Sequence, residues 1–407
     1  GKHWFAQLGY FASIYDTKAA GFQFDNPYNA AAPGGDAGRM SLEPDNLYNE
    51  VAVSFGWFGL PWNTAVTLSA AMGQGSQETG FNPYTINPNV AVDALPFDNL
   101  DGDISVTRAA LAVSARPMDR LRLRGSAAYD ERDNDSRQGT FTSIVHTDLF
   151  PIVDDRVNAV YGYERTRLNG SADFDVYDDL AIGVGGEWRT IDRTGSALEV
   201  SSEEVLDGWG RVQFRPSGYL GIVAKGGVEE RDPDRYDVNV AAGFGQNPLM
   251  RKFNQAYRYR SYGELLTNVA VGSLPLSLGA SVFYGDDSYL QSDLGLDSGL
   301  DRRYGVDLNW TVNEKIAAYA MLGREKIDSR TRGSSTFTTA DWVGRVEDDF
   351  ETYGAGVNAQ FTDKIGVNLD YSYGAGNSRT RITGAGAGIF PVVKSELSSF
   401  KAAVTYG

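Results

Sequence analysis

Apolar and polar residues alternate with a period of two along most of the chain. In Tyr353–Phe361 one face carries Tyr353, Ala355, Val357, Ala359 and Phe361, and the other Gly354, Gly356, Asn358 and Gln360. The next segment sets Val367, Leu369, Tyr371 and Tyr373 against Gly366, Asn368, Asp370, Ser372 and Gly374. Tyr304, Val306, Leu308 and Trp310 oppose Gly305, Asp307, Asn309 and Thr311, and Leu121, Leu123, Gly125, Ala127 and Tyr129 oppose Arg120, Arg122, Arg124, Ser126 and Ala128. This is the period of a β-strand with two unlike faces. Segments of about ten residues or a little more suit a tilted strand crossing the hydrocarbon layer. About sixteen such segments follow one another.

A soluble sandwich shows the same alternation, so the connections must separate the two classes. Short connections fall near Gly59–Pro61, Arg116–Asp119, Tyr177–Asp179, Pro216–Gly218, Ser273–Pro275, Val312–Glu314 and Thr362–Lys364. Between them lie long ones, over roughly 17–44, 75–101, 133–162, 194–202, 233–258, 289–300, 329–346 and 377–392. Short turns on one rim and long loops on the other predict an up-and-down transmembrane β-barrel of the outer-membrane type, the short turns being periplasmic. Trp57 and Trp62 flank one short turn, and Tyr177 and Tyr219 lie beside others, as interfacial girdles require. The longest uncharged window, Leu265 to Gly285, approaches a membrane helix in length. Its alternation and Pro275 predict two strands joined at Ser273-Leu274-Pro275 instead. No linker divides residues 1–407, which are expected to form one barrel domain.

Composition agrees with strands and turns, with Gly 47, Tyr 22, Phe 20 and Trp 7. The absence of cysteine excludes disulfides, zinc–thiolate sites, iron–sulfur clusters and covalently attached c-type haem. A net charge of −16 opposes nucleic-acid binding. Gly1-Lys2-His3-Trp4 opens directly into strand-like sequence with no signal peptide, so the expectation is a processed, trimmed or partial chain.

Candidate chemistry is sparse. His3 and His146 are isolated and read as surface or wall side chains. Asp154-Asp155, Glu203-Glu204, Asp286-Asp287 and Asp348-Asp349 lack the spaced ligands of a calcium loop, so they are expected to be solvated loop charge. Gly384–Gly388 has no Lys-Ser/Thr after it and reads as loop flexibility. No catalytic residue, metal site or cofactor of the chain's own is expected. Function then falls to the lumen, where the polar face places Arg120, Arg122, Arg124, Lys225, Asn358, Gln360, Asn368 and Asp370 as candidate contacts, with Glu229 on the same strand as Lys225. A hydrated, charged lining suits a porin, whereas small residues also allow a protein to be enclosed; the residues leave both readings open.

Several stretches resemble the MtrB/PioB family of decahaem-associated outer-membrane β-barrels. They are Phe24-Asp25-Asn26-Pro27-Tyr28, Leu42-Glu43-Pro44-Asp45-Asn46 and the run Arg251-Lys252-Phe253-Asn254-Gln255-Ala256-Tyr257-Arg258, similar to the family's RKFN-x-A-x-R. Asp287-Ser288-Tyr289, Leu294-Gly295-Leu296, Asp341-Trp342 and Asp348–Gln360 follow in order. The resemblance implies a sheath around a periplasmic multihaem cytochrome that carries all the haem, with a second, extracellular multihaem cytochrome at the long-loop rim and an electron path across the outer membrane. Family members have about twenty-six strands, so the resemblance also implies either missing N-terminal strands or a shorter relative.

Overall fold

The computed structural model describes residues 3–25, 35–147, 150–195, 198–243, 245–272 and 274–406. Sixteen long strands dominate it: β1 (Trp4–Tyr15), β2 (Asn46–Leu60), β3 (Thr64–Gln77), β4 (Gly102–Met118), β5 (Leu121–Asn134), β6 (Tyr161–Tyr177), β7 (Leu180–Gly195) and β8 (Ser202–Ser217). The second half holds β9 (Leu220–Pro233), β10 (Arg258–Ala270), β11 (Leu276–Ser288), β12 (Leu294–Asn313), β13 (Ile316–Gly333), β14 (Trp342–Thr362), β15 (Ile365–Gly384) and β16 (Val393–Tyr406). Each pairs antiparallel with the next, from β1–β2 through β15–β16. Among the described residues no ladder joins β1 to β16, so the sheet has two free margins.

All seven short turns lie at one end of the strands, within a few residues of their expected places. In the three-residue turn Pro61–Asn63, Trp62 and Asn63 both take positive φ, 63° and 51°. That left-handed pair reverses the chain in the sense of the strand twist. The window from Leu265 to Gly285 forms β10 and β11, although Ser273 of its turn lies outside the described residues. No helix among the described residues is long and apolar enough to cross a membrane.

Directly paired residues share a face, and the registers connect one apolar face through all sixteen strands. Trp310, Leu308, Val306 and Tyr304 of β12 lie opposite Leu276, Leu278, Ala280 and Val282 of β11. On the other side they meet Ala318, Ala320, Leu322 and Arg324 of β13. The face is open: among the described residues only Val106, Val200, Val205, Ala256, Tyr289 and Leu294 are buried apolar side chains. A soluble sandwich stabilises itself by burying such a face, at about 25 cal/mol per Å². Here the apolar side chains can be satisfied only by acyl chains.

The strands run 12 to 21 residues, longer than the sequence implies. At about 3.3 Å per residue and a tilt near 45°, ten residues suffice for the hydrocarbon, so the excess stands above the membrane on the long-loop side. Much of 289–300, 329–346 and 377–392, expected as loop, is therefore strand. Cross-strand ion pairs hold these extensions: Arg302 with Asp328, Arg330 with Asp297, and Arg324 with Asp349 at 2.6 Å. The acidic doublets are corrected likewise. Each lies in a strand, and consecutive strand residues face opposite sides, so Glu203 meets Arg193 at 3.3 Å while Glu204 accepts from Trp188 Nε1 at 2.7 Å. Asp287 takes both donors of Arg260.

Candidate lumenal binding face

The opposite face of the sheet lines the barrel's inner side, and two polar groups on it gather the expected residues. The first spans β5–β9. Arg122 donates to Asp175 at 2.6 Å, and Arg124 to Asp173 at 2.9 Å. Arg211 reaches the same Asp173 carboxylate from β8, two strands away. That reach passes over Gly183 of β7, where an added Cβ would lie 2.3 Å from Asp173 Oδ1. Glycine is thus required by close approach. Asp173 is 4% exposed, a carboxylate held between two guanidinium groups. Lys225 lies with Nζ 5.0 Å from the Trp209 ring centroid and 5.5 Å from that of Tyr262.

Arg120 departs from expectation. It occupies the short turn before β5 and donates to the Val176 carbonyl at 3.1 Å, so it caps the periplasmic rim rather than lining the wall. The turn consumes two residues, and the strand starts one position later than the alternation alone places it.

Toward the long-loop end, the registers stack one basic and one acidic row. Arg167 pairs directly with Arg189, and Arg231 with Arg258. Beneath them run Glu187, Asp207 and Glu229. Arg189 meets Glu187 at 3.2 Å and Arg167 meets it at 3.5 Å, while Arg258 pairs with Glu229. Of these residues the sequence singles out only Glu229, because the rows are set by register across strands rather than by any pattern along one of them.

The second group lies near the short turns of β13–β15. Asn368 donates to Asn358, Tyr319 to Asp370 at 2.9 Å, and Gln360 Nε2 to the Thr362 carbonyl at 2.9 Å. Asn358, Gln360 and Asn368 line a recess of about 420 Å³. A second recess, about 370 Å³, is floored by Ala65, Thr67, Ala112, Ser126 and Ser171, with Trp209 at its side. The inner face therefore combines neutralised charge with small side chains.

The run Arg251–Arg258 folds against this inner face at the long-loop end. Arg231 of β9 donates to the carbonyls of Ala256, at 3.0 Å, and Phe253. Met250 and Arg251 pair in parallel with Leu294 and Gly295. Arg251 stacks 4.4 Å from the Tyr236 ring centroid, and Lys252 pairs with Glu199, which is 6% exposed. Burial alone would raise the Glu199 carboxyl, but the Lys252 ammonium and a backbone amide hold it below its ordinary 4.5. A depressed carboxyl contributes stability that is complete above the ordinary value and lost as pH falls through the folded one. Amide hydrogen exchange within residues 234–257, corrected for its intrinsic pH dependence, should therefore speed up below about pH 4 in the native protein. In Lys252→Met burial acts on the carboxyl without the ammonium, so the acid-side loss should vanish or reverse; an unchanged loss in that variant would assign it to another group.

Of the residues carrying the resemblance, Asn26, Pro27 and Tyr28 lie outside the described residues, as does the side chain of His146. His3 immediately precedes β1, and its carbonyl accepts from Phe58 N at 2.7 Å. Among the described residues no three His, Cys, Asp or Glu side chains gather in a geometry for a metal ion.

The family model described as "Putative outer membrane beta-barrel porin, MtrB/PioB" matches residues 1–407. The chain belongs to this family. Outer membrane protein MtrB of Shewanella baltica (strain OS185) is 27% identical over 387 residues, covering 94% of this chain. The match takes in 54% of that relative, so the chain spans about half its length. Solved barrels share the fold: the copper transporter OprC at a TM-score of 0.59 and 10% identity, over 100% of this chain and 68% of that one. The FrpB iron transporter of Neisseria meningitidis follows at 0.51 and 9%, over 99% and 78%. Membership in the MtrB/PioB family places the protein in the outer membrane. The open apolar face and the alternation of short turns with long loops agree with that location.

Proposed function

We propose that this protein sheathes a periplasmic multihaem c-type cytochrome within the outer membrane and so supports electron transfer to or from the cell exterior. The observation that carries the reading is the inner face: on a chain of the MtrB/PioB family, many of its charges already have partners within the wall, Arg167 and Arg189 on Glu187, Arg258 on Glu229, Arg231 on backbone carbonyls and Lys225 over two aromatic rings, and one of its recesses is floored by Ala, Ser and Thr. Such a wall can lie against another protein without stranding free charge. The chain has no cysteine and two histidines, which fits neither thioether attachment nor paired ligation of a haem series. The haems then belong to the partner. The barrel catalyses nothing; it replaces lipid around a charged protein with a wall whose backbone is hydrogen-bonded strand to strand. A second, extracellular multihaem cytochrome would meet the long-loop rim.

The second reading, a porin for small solutes, is favoured by the family's own description. Purification from the native outer membrane decides between them. The sheath should bring down a haem-staining protein with a c-type visible spectrum and conduct poorly in a planar bilayer until that partner is stripped. A haem-free barrel with steady conductance would establish the porin.

A further inference from the structure

We propose that the lipid-facing surface of β13–β15, above the apolar band, binds phosphate groups on the sugars of outer-leaflet lipopolysaccharide. The registers place Arg330 directly opposite Arg345, and Arg345 directly opposite Arg381. All three share the outward face with Tyr353, Val357 and Leu369, because even steps along a strand keep one face. Adjacent strands lie about 4.8 Å apart, so three guanidinium stems start within about 10 Å of one another. Arg379 follows two residues before Arg381 on the same face.

Like charges directly opposite one another destabilise a sheet, and little in the protein offsets them here. Arg330 is paired with Asp297. Arg345, Arg379 and Arg381, all exposed, have no ion pair or side-chain hydrogen bond among the described residues. The carboxylates on this face do not fill the gap. Asp328 is taken by Arg302, and Glu347, opposite Arg379, comes no closer than 4 Å to it. The contrast with the rows beneath is informative, since there Arg324 is held by Asp349 at 2.6 Å and Glu351 at 3.7 Å. An arginine cluster with its anions left out is complementary to phosphate, which accepts paired guanidinium donors.

Height selects the source of the phosphate. From Tyr353, at the top of the apolar column of β14, four outward positions lead to Arg345. At about 6.6 Å per pair of residues and a tilt near 45°, that is about 19 Å above the hydrocarbon edge. Ordinary phospholipid headgroups occupy only about 5–8 Å there. The phosphorylated core sugars of lipopolysaccharide extend through the zone that the arginines reach.

The test uses the protein purified from its native membrane, with Arg345→Gln/Arg381→Gln beside the wild type. In lipopolysaccharide-free detergent the variant should unfold at the same temperature as the wild type or higher, because repulsion is relieved; this also establishes that it folds. Added lipopolysaccharide should raise the wild-type transition and leave the variant nearly unmoved, with retained lipopolysaccharide about tenfold lower in the variant by native mass spectrometry. Phosphatase-treated lipopolysaccharide and phosphatidylglycerol vesicles should fail to stabilise the wild type. Equal retention by both proteins, or equal stabilisation by phosphatidylglycerol or by inorganic phosphate alone, would overturn the assignment.

Discussion

Replacing Leu308 with arginine should sharply reduce the amount of folded protein in the outer membrane. Leu308 lies on the lipid-facing column Val312, Trp310, Leu308, Val306 and Tyr304. Its neighbours across the ladders are Leu278 and Ala320, so no anion is within reach of a new cation. An arginine on this face costs about 2–4 kcal/mol at the bilayer midplane and less toward either edge, a large part of the net stability of a domain. Asn309→Arg, one residue away, points to the inner side, where Asp307 already accepts from Asn309 at 2.9 Å. It should assemble normally. Heat-modifiable gel mobility of outer-membrane fractions would read both. Equal assembly of the two variants would mean that the faces are assigned the wrong way round.

Asp173→Asn should be the most damaging conservative change on the inner wall. It keeps the shape and removes the anion that Arg124 and Arg211 share, leaving two guanidinium groups facing each other across Gly183. Stranding charged groups in this way costs about 1–3 kcal/mol, toward the low end because both arginines are partly solvated. The unfolding transition should fall accordingly. Adding Arg211→Gln should recover part of the loss, since one of the stranded charges is then gone. Additive losses in the double variant would show that the two residues do not interact.

The sequence made the turns and faces legible because both depend on neighbours along the chain. Seven short connections and the inward parity of Arg122, Arg124, Lys225, Asn358 and Asp370 could be read from alternation alone. Strand length could not. Segments such as 329–333 and 377–384 are polar and basic and read as loop, yet partners on adjacent strands extend them as ladders. The sites show the same division. Arg124 was legible, but its acceptor Asp173 is 49 residues away, and Lys252 finds Glu199 across 53. The run Arg251–Arg258 carries the resemblance, while its role as a fold-over segment depends on Arg231, Glu199 and Gly295, which no local pattern joins to it.

The two unjoined outer strands set a condition on how this polypeptide can exist in a bilayer. In an antiparallel ladder alternate residues direct their amide and carbonyl groups to each side. The 12 residues of β1 and the 14 of β16 thus each present a row of unanswered donors and acceptors. Oil offers them no water, at several kcal/mol for each group. These seams must therefore be zipped, to each other or to additional strands, before the wall becomes watertight. Folding in the membrane is then decided at the seam rather than in the middle of the sheet.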